Sequence, residues 1–144
     1  MTLYLSSAVG SFLFLNEPLA WVEGDVNARD AFEDEVRRLT VLGDVRTYDQ
    51  DPRFGLLVMS EIGSKALSPG VNDPGTAIDV LNRSARILSL YKDETAANSD
   101  PVYDRLHVRP ISPHDLIMDA YSGIARDGAG DVEVQQRLQR CIAA

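Results

Sequence analysis

Ala66-Leu67-Ser68-Pro69-Gly70-Val71-Asn72-Asp73-Pro74-Gly75-Thr76-Ala77 is the stretch on which the reading of this chain turns. Pro69 and Pro74 each hold φ near about −65°, and Gly70 between them tolerates positive φ. Asp73-Pro74 is a helix start, an Asx cap followed by proline at the first helical position. Such chemistry makes a rigid corner between two helices, and the flanking residues carry helical periodicity on both sides.

Upstream, a helix is expected to begin at Asp51-Pro52 and to carry Phe54, Leu56, Leu57, Val58, Met59, Ile62, Ala66 and Leu67. Apolar residues cover most of its circumference, and Ser60, Glu61, Ser64 and Lys65 form one narrow polar stripe. A helix of that kind is central and buried, or lies at an oligomer interface. Gly55 and Gly63 weaken it by propensity and so point to close approach by a neighbouring backbone. Downstream, a helix from Asp73-Pro74 to about Tyr91 places Ala77, Val80, Leu81, Ser84, Leu88 and Tyr91 on one face, with Asp79, Asn82, Arg83 and Arg86 opposite.

Further out, Asn27 reads as the cap of a first helix over about Ala28 to Leu42, ended by Gly43, with Phe32, Val36 and Leu39 as its buried stripe. Glu33/Arg37 and Asp34/Arg38 are i,i+4 pairs on its solvated face. Thr2 to Val22 reads as short strands: Leu3, Leu5 and Ala8, then Phe12 to Leu15, then Leu19 to Val22. Lys92 to Asp100 is a polar linker, and Leu106-His107-Val108 is an edge strand or hairpin arm bracketed by prolines. Ser112-Pro113 opens a fourth helix, with Asp115 completing an S-x-x-D capping pattern. Its core face is Leu116, Ile117, Ala120, Tyr121 and Ile124, and Gly128 ends it. A last helix over about Asp131 to Ala143 buries Val134, Leu138, Cys141 and Ile142. The fold class is α+β, mainly helical: a small N-terminal antiparallel sheet packed against about five α-helices. The 144 residues are expected to form one domain, with a β-rich segment over 1–24, a helical core over 25–92, a linker and short strand over 93–110, and a helical pair over 111–144.

Hydrophobic content of 44% and charged content of 25% are globular values. The formal net charge of −8 excludes a nucleic-acid surface, which needs clustered Lys and Arg. Cys141 alone makes no intrachain disulfide and reads as a buried free thiol. No apolar run approaches the ~20 residues of a membrane span, and no signal peptide is visible, so the chain reads as soluble.

Gln50-Asp51-Pro52-Arg53-Phe54-Gly55, followed by the Ala66–Ala77 stretch, resembles the soluble C-terminal region of an uncharacterised bacterial predicted membrane protein family, domain of unknown function 2254. Its members carry D-P-x-F-G, then A-L-S-P-G-I-N-D-P-x-T-A. Upstream they show G-D-F-V, P-L and R-T, which appear here as Gly10-Ser11-Phe12-Leu13, Pro18-Leu19 and Arg46-Thr47. The resemblance spans roughly Leu3 to Arg126. Ser11 replaces the family's Asp, and Gly75 stands where a larger residue is usual. Family members carry membrane-spanning helices before this region, which implies either that the chain is a soluble relative or that Met1 opens a piece of such a protein, the reading favoured by a sheet that looks incomplete on its own. The domain would then be membrane-associated through a region absent from this chain, itself on the cytoplasmic side. The family brings no established activity and no cofactor.

The corner is the best candidate site. Ser68, Asn72, Asp73 and Thr76 surround one helix start, where a phosphate or carboxylate would be attracted, with Arg46 or Arg53 as a charge partner and the Asp51 helix start as a second contributor. Against this stands Asp73 itself, which as the cap already fills the anion's place. His107 and His114 lack metal-ligand spacing. No G-x-S-x-G elbow supports a serine nucleophile, and Ser112 is better used as a cap. No catalytic and no metal-ligating residues are therefore assigned. Phe12, Phe14, Trp21 and the apolar second helix offer more apolar surface than a small sheet covers. The expected function is a non-enzymatic accessory or regulatory module acting through self-association, with a second copy and the parent's membrane-spanning region as partners. The alternative is a small-anion or small-ligand sensor at Ser68–Thr76.

Overall fold

The computed structural model describes residues 1–24, 29–92 and 102–143. They fall into two compact units, one of Met1–Thr47 with Asn98–Pro110 and one of Tyr48–Ala97 with Ile111–Ala144. Among the described residues, five helices and a small three-stranded sheet make the fold α+β.

In the first unit, β1 (Thr2–Leu5) is the central strand. β2 (Ala20–Glu23) pairs with it antiparallel, Thr2 opposite Glu23 and Leu5 opposite Ala20. The sheet is mixed rather than antiparallel, because the third strand, introduced below, runs parallel to β1. The expected strand over Phe12 to Leu15 does not form. Gly10 at φ 78° turns the chain, Ser11 N–H donates to the Ala8 carbonyl, and Glu17 closes a second turn by accepting from Phe14 N–H at 3.1 Å. Helix α1 spans Arg29–Leu39, and its expected cap Asn27 lies outside the described residues. It stops four residues short of Gly43, where Thr40 turns its hydroxyl back onto the Val36 carbonyl. Its apolar stripe is not buried: Phe32 and Val36 are half-exposed and Leu39 is exposed. Glu33 pairs with Arg37 as expected, but Arg38 turns to Glu35 rather than Asp34.

The second unit is a helical bundle. α2 (Pro52–Ala66) starts where Asp51, buried, accepts from Phe54 N–H at 3.1 Å, and α3 (Pro74–Leu88) starts the same way at Asp73. β3, completing the sheet of the first unit, is only Leu106–His107, with Leu3 opposite Leu106. α4 (Pro113–Asp127) follows Ser112, which has the extended backbone of a cap but makes no side-chain cap bond. Asp115 does not complete the expected capping pattern, because Arg53 draws its carboxylate at 3.3 Å. α5 (Val132–Ala143) is capped by Asp131, which accepts from Glu133 and Val134 N–H groups.

Leu56, Ala77, Val80, Leu81, Leu116, Ala120, Tyr121, Ile124, Val134 and Leu138 form the core. Each large side chain buried there contributes roughly 1.5–3 kcal/mol. Four residues expected inside are not: Ile117 and Ile142 are exposed, Tyr91 is exposed beyond the end of α3 at Leu88, and Cys141 is half-buried. α2 and α4 run parallel, since Arg53 meets Asp119, Ser60 meets Gly123, and Ser64 meets Asp127 in the same order along both. A methyl group on Gly63 would stand 2.5 Å from Ile124 Cδ1, and one on Gly123 3.1 Å from Ser60 Oγ. The expected close approach is therefore real at Gly63, while Gly55 faces open space. The α2 polar stripe divides accordingly: Glu61 and Lys65 face solvent, Ser60 is buried, and Ser64 is half-buried.

The two caps predict different costs in chemical denaturation. Asp51→Ala removes a made cap bond and is expected to lose about 1 kcal/mol or more, whereas Ser112→Ala is expected to stay within about 0.5 kcal/mol of the parent. Equal losses from both would contradict the assignment of the caps.

Candidate functional site

The corner between α2 and α3 is held by its own backbone. Asp73 N–H donates to the Ala66 carbonyl at 2.8 Å, and Val71 and Asn72 N–H groups both donate to the Ser68 carbonyl. Asn72 takes the left-handed conformation at φ 49°, which Asn tolerates better than most residues. Ser68 turns its hydroxyl onto the Lys65 carbonyl at 2.7 Å. The Asp73 carboxylate accepts from Thr76 N–H at 3.0 Å and from Thr76 Oγ1 at 2.5 Å. Those two bonds, the hydroxyl first, hold its pKa below the ordinary carboxylate value.

Ser68, Asn72, Asp73 and Thr76 thus share one helix start, as the sequence suggests. Asp51 does not join them. It caps the far end of α2, a helix of 15 residues that is about 22 Å long at the usual rise of ~1.5 Å per residue. Arg46 belongs to the first unit. His107 stacks on Tyr4 with ring centroids 4.6 Å apart, and His114 is exposed beside Asp115. Among the described residues no group of three or more His, Cys, Asp or Glu side chains is placed to hold a metal.

A second polar arrangement, not anticipated from the sequence, runs along the seam of α2 and α4. Arg53 grips Asp119 with two bonds, Nε–H to Oδ2 at 2.6 Å and Nη2–H to Oδ1 at 3.2 Å, and reaches Asp115 with Nη1. Further along, Ser64 donates to Asp127, and Arg126 closes on the same carboxylate. Arg126 and then Ser64 hold the Asp127 carboxyl down at about 2. Between these two clusters an open groove of about 490 Å³ is lined by Leu57, Ser60 and Glu61 of α2 and by Ser122 and Gly123 of α4. The sequence signal for it was the small-residue spacing Ser60, Gly63, Ser64 against Ala120, Gly123, which reads as a close helix crossing only once the partner helix is known.

Inside the bundle, Ser84 Oγ and Tyr121 OH are buried with no hydrogen-bond partner among the described residues. Burial, and then the neighbouring Cys141, push the Tyr121 phenol up to about 12, so it is neutral at physiological pH. Burial likewise raises the Cys141 thiol, whose Sγ lies 3.6 Å from the Leu81 carbonyl. A thiol with a raised pKa is a poor nucleophile. Among the described residues no helix is long and apolar enough to cross a membrane.

The fold is α+β, and its helical unit turns on an A-L-S-P-G-V-N-D-P corner. The chain belongs to the family described as predicted membrane protein DUF2254, whose model matches residues 1–144. It is also similar to uncharacterized protein Mb1321c of Mycobacterium bovis and to uncharacterized protein Rv1290c of Mycobacterium tuberculosis strain H37Rv. Each is 36% identical over 93 residues, which make up 62% of this chain and 18% of the relative. The chain thus matches less than a fifth of the length of these relatives. No solved structure matches.

The Asp73 carboxylate supplies a test by pH. A depressed folded pKa contributes stability that is full above the ordinary carboxylate range, near about 3.9, and is lost as pH falls through the folded value. Thr76→Val removes the hydroxyl bond, so an NMR titration should show the Asp73 midpoint moving up toward that ordinary value. The melting-temperature gap between parent and variant should be present at neutral pH and close in acid. An unmoved midpoint would contradict the assignment.

Proposed function

We propose that this chain is a non-enzymatic accessory or regulatory module that acts through self-association, two copies meeting through the sheet-bearing unit. One observation carries the reading: among its described residues the first unit has no buried side chain, and the whole apolar core lies in the second unit. Meanwhile Phe12 is 79%, Phe14 65% and Trp21 62% exposed, with Leu15 fully so. Three short strands and one helix do not stabilise themselves on so little burial. Large apolar side chains exposed in this number are the kind of surface that association covers. The outer edge of β2 adds a row of backbone groups able to pair with the same strand of a second copy.

Membrane attachment through a parent region outside this sequence belongs to the same proposal and is supported by the family's description; placing the module on the cytoplasmic side is part of the proposal alone. The anion-sensor alternative at Ser68–Thr76 is weaker, because Asp73 already places a carboxylate on the α3 N-terminus and accepts from Thr76 there. A free phosphate or carboxylate would have to displace it.

Light scattering over a concentration series tests the proposal. The parent chain is expected to run as a dimer at micromolar concentration. Trp21→Glu, at an exposed position where folding cost is small, should shift it to monomer with an unchanged melting temperature of the helical unit. A parent chain that stays monomeric at the highest concentration would overturn the reading.

A further inference from the structure

The groove between α2 and α4 has features that helix packing alone does not require. Ser60 lies in it and is only 3% exposed. Ser122 satisfies its hydroxyl on the Met118 carbonyl and Ser64 on the Asp127 carboxylate. The Ser60 hydroxyl has no hydrogen-bond partner among the described residues, neither the carbonyl one turn back nor a side chain of α4. Its oxygen is nevertheless not sealed away, as those of Ser84 and Tyr121 are. A polar group buried and unsatisfied costs free energy, so one left open toward a groove is a group poised to bond something that enters.

The charges around the groove give that partner its sign. Asp119 is engaged by Arg53, and Asp127 by Arg126. Glu61 lines the groove with no ion-pair partner among the described residues, and Asp115 shares Arg53 with Asp119. Of the charged side chains that line the groove, Glu61, Asp119 and Arg126, the last two are each paired, which leaves the Glu61 carboxylate to set the sign, within a chain of net charge −8. No metal-holding cluster of three ligands is present among the described residues, so the acidity is not arranged for a bare cation. An ammonium group is different. It offers three donors, which suit the Ser60 hydroxyl and the Glu61 carboxylate together, and its aliphatic stem suits the Leu57 side chain and the bare backbone at Gly123.

We propose that the groove between α2 and α4 binds a small primary aliphatic amine, with Ser60 and Glu61 accepting from its ammonium group and Leu57 packing on its methylenes. The site is independent of the association surface on the other unit. Gly123 is the residue that makes room: a side chain there would press on Ser60 Oγ and fill the groove floor.

The test uses the full chain, with putrescine as the probe and tetramethylammonium as a cation that cannot donate a hydrogen bond, at constant ionic strength. Putrescine should give saturable NMR shifts confined to Leu57–Ser64 and Asp119–Arg126, and tetramethylammonium none. Glu61→Gln, on the solvent side of α2, should weaken putrescine binding by about tenfold, as expected for a lost charge-assisted bond. Ser60→Ala should weaken it as well while leaving the melting temperature of the free protein near that of the parent. Shifts that fail to saturate, that tetramethylammonium reproduces, or that Glu61→Gln leaves unchanged would overturn the proposal. So would saturable shifts that map to the first unit.

Discussion

The helical unit depends on how closely α2 and α4 approach. Gly63 on one and Gly123 on the other remove the Cβ atoms that would hold the two parallel helices apart, and Ile124 fills the space against Gly63. Ile124 is itself fully buried and makes contact with the rest of the core. From this crossing much else follows. Arg53 is brought within bonding distance of Asp119, Ser64 within reach of Asp127, and α3 is left to close the remaining face with Val80 and Leu81. Interiors packed at crystal-like density transmit such a constraint rather than absorb it.

Much of this bundle was legible in the sequence because helix starts are local. Asp51-Pro52, Asp73-Pro74 and Ser112-Pro113 each mark a helix start within one residue of its position, since a cap and a following proline act on their own backbone. The α3 face from Ala77 to Leu88 was legible for the same reason of strict periodicity, which fails only at Tyr91, past the helix end. Legibility failed where a distant partner decides. Asp115 had the spacing of a capping residue, but Arg53, 62 residues away in sequence, offers it a charge-assisted bond. Phe12 to Leu15 had the composition of a strand, but among the described residues no strand pairs with it, and Phe14 gives its backbone bonds to a turn closed by Glu17 instead.

The corner at Ser68–Thr76 was legible as a piece of geometry and not as a site. Its four polar residues do meet, yet most of the bonds they make are to one another or to the neighbouring backbone. The polar groove along α2 and α4 was hidden for the opposite reason. Ser60 and Ser64 read as part of a solvated stripe with Glu61 and Lys65, because a sequence shows which residues share a helix face but not where a neighbour cuts across it. Small residues at i, i+3 and i+4 are the available sign; of the two glycines that point to a close approach, Gly63 belongs to that spacing and Gly55 does not. The two units also differ in kind. One carries a core of its own, and the other presents Phe12, Phe14 and Trp21 to solvent.

The close crossing of α2 and α4 is tested most directly by urea unfolding of two alanine variants in the same helix. Gly55 faces open space, so Gly55→Ala should stabilise the chain by roughly 0.5–1 kcal/mol through helix propensity alone. Gly63→Ala gains the same propensity but drives a methyl group into Ile124, and should lose about 1–3 kcal/mol overall. If Gly63→Ala proves as stable as Gly55→Ala, the helices do not meet through that glycine, and the account of the bundle is wrong.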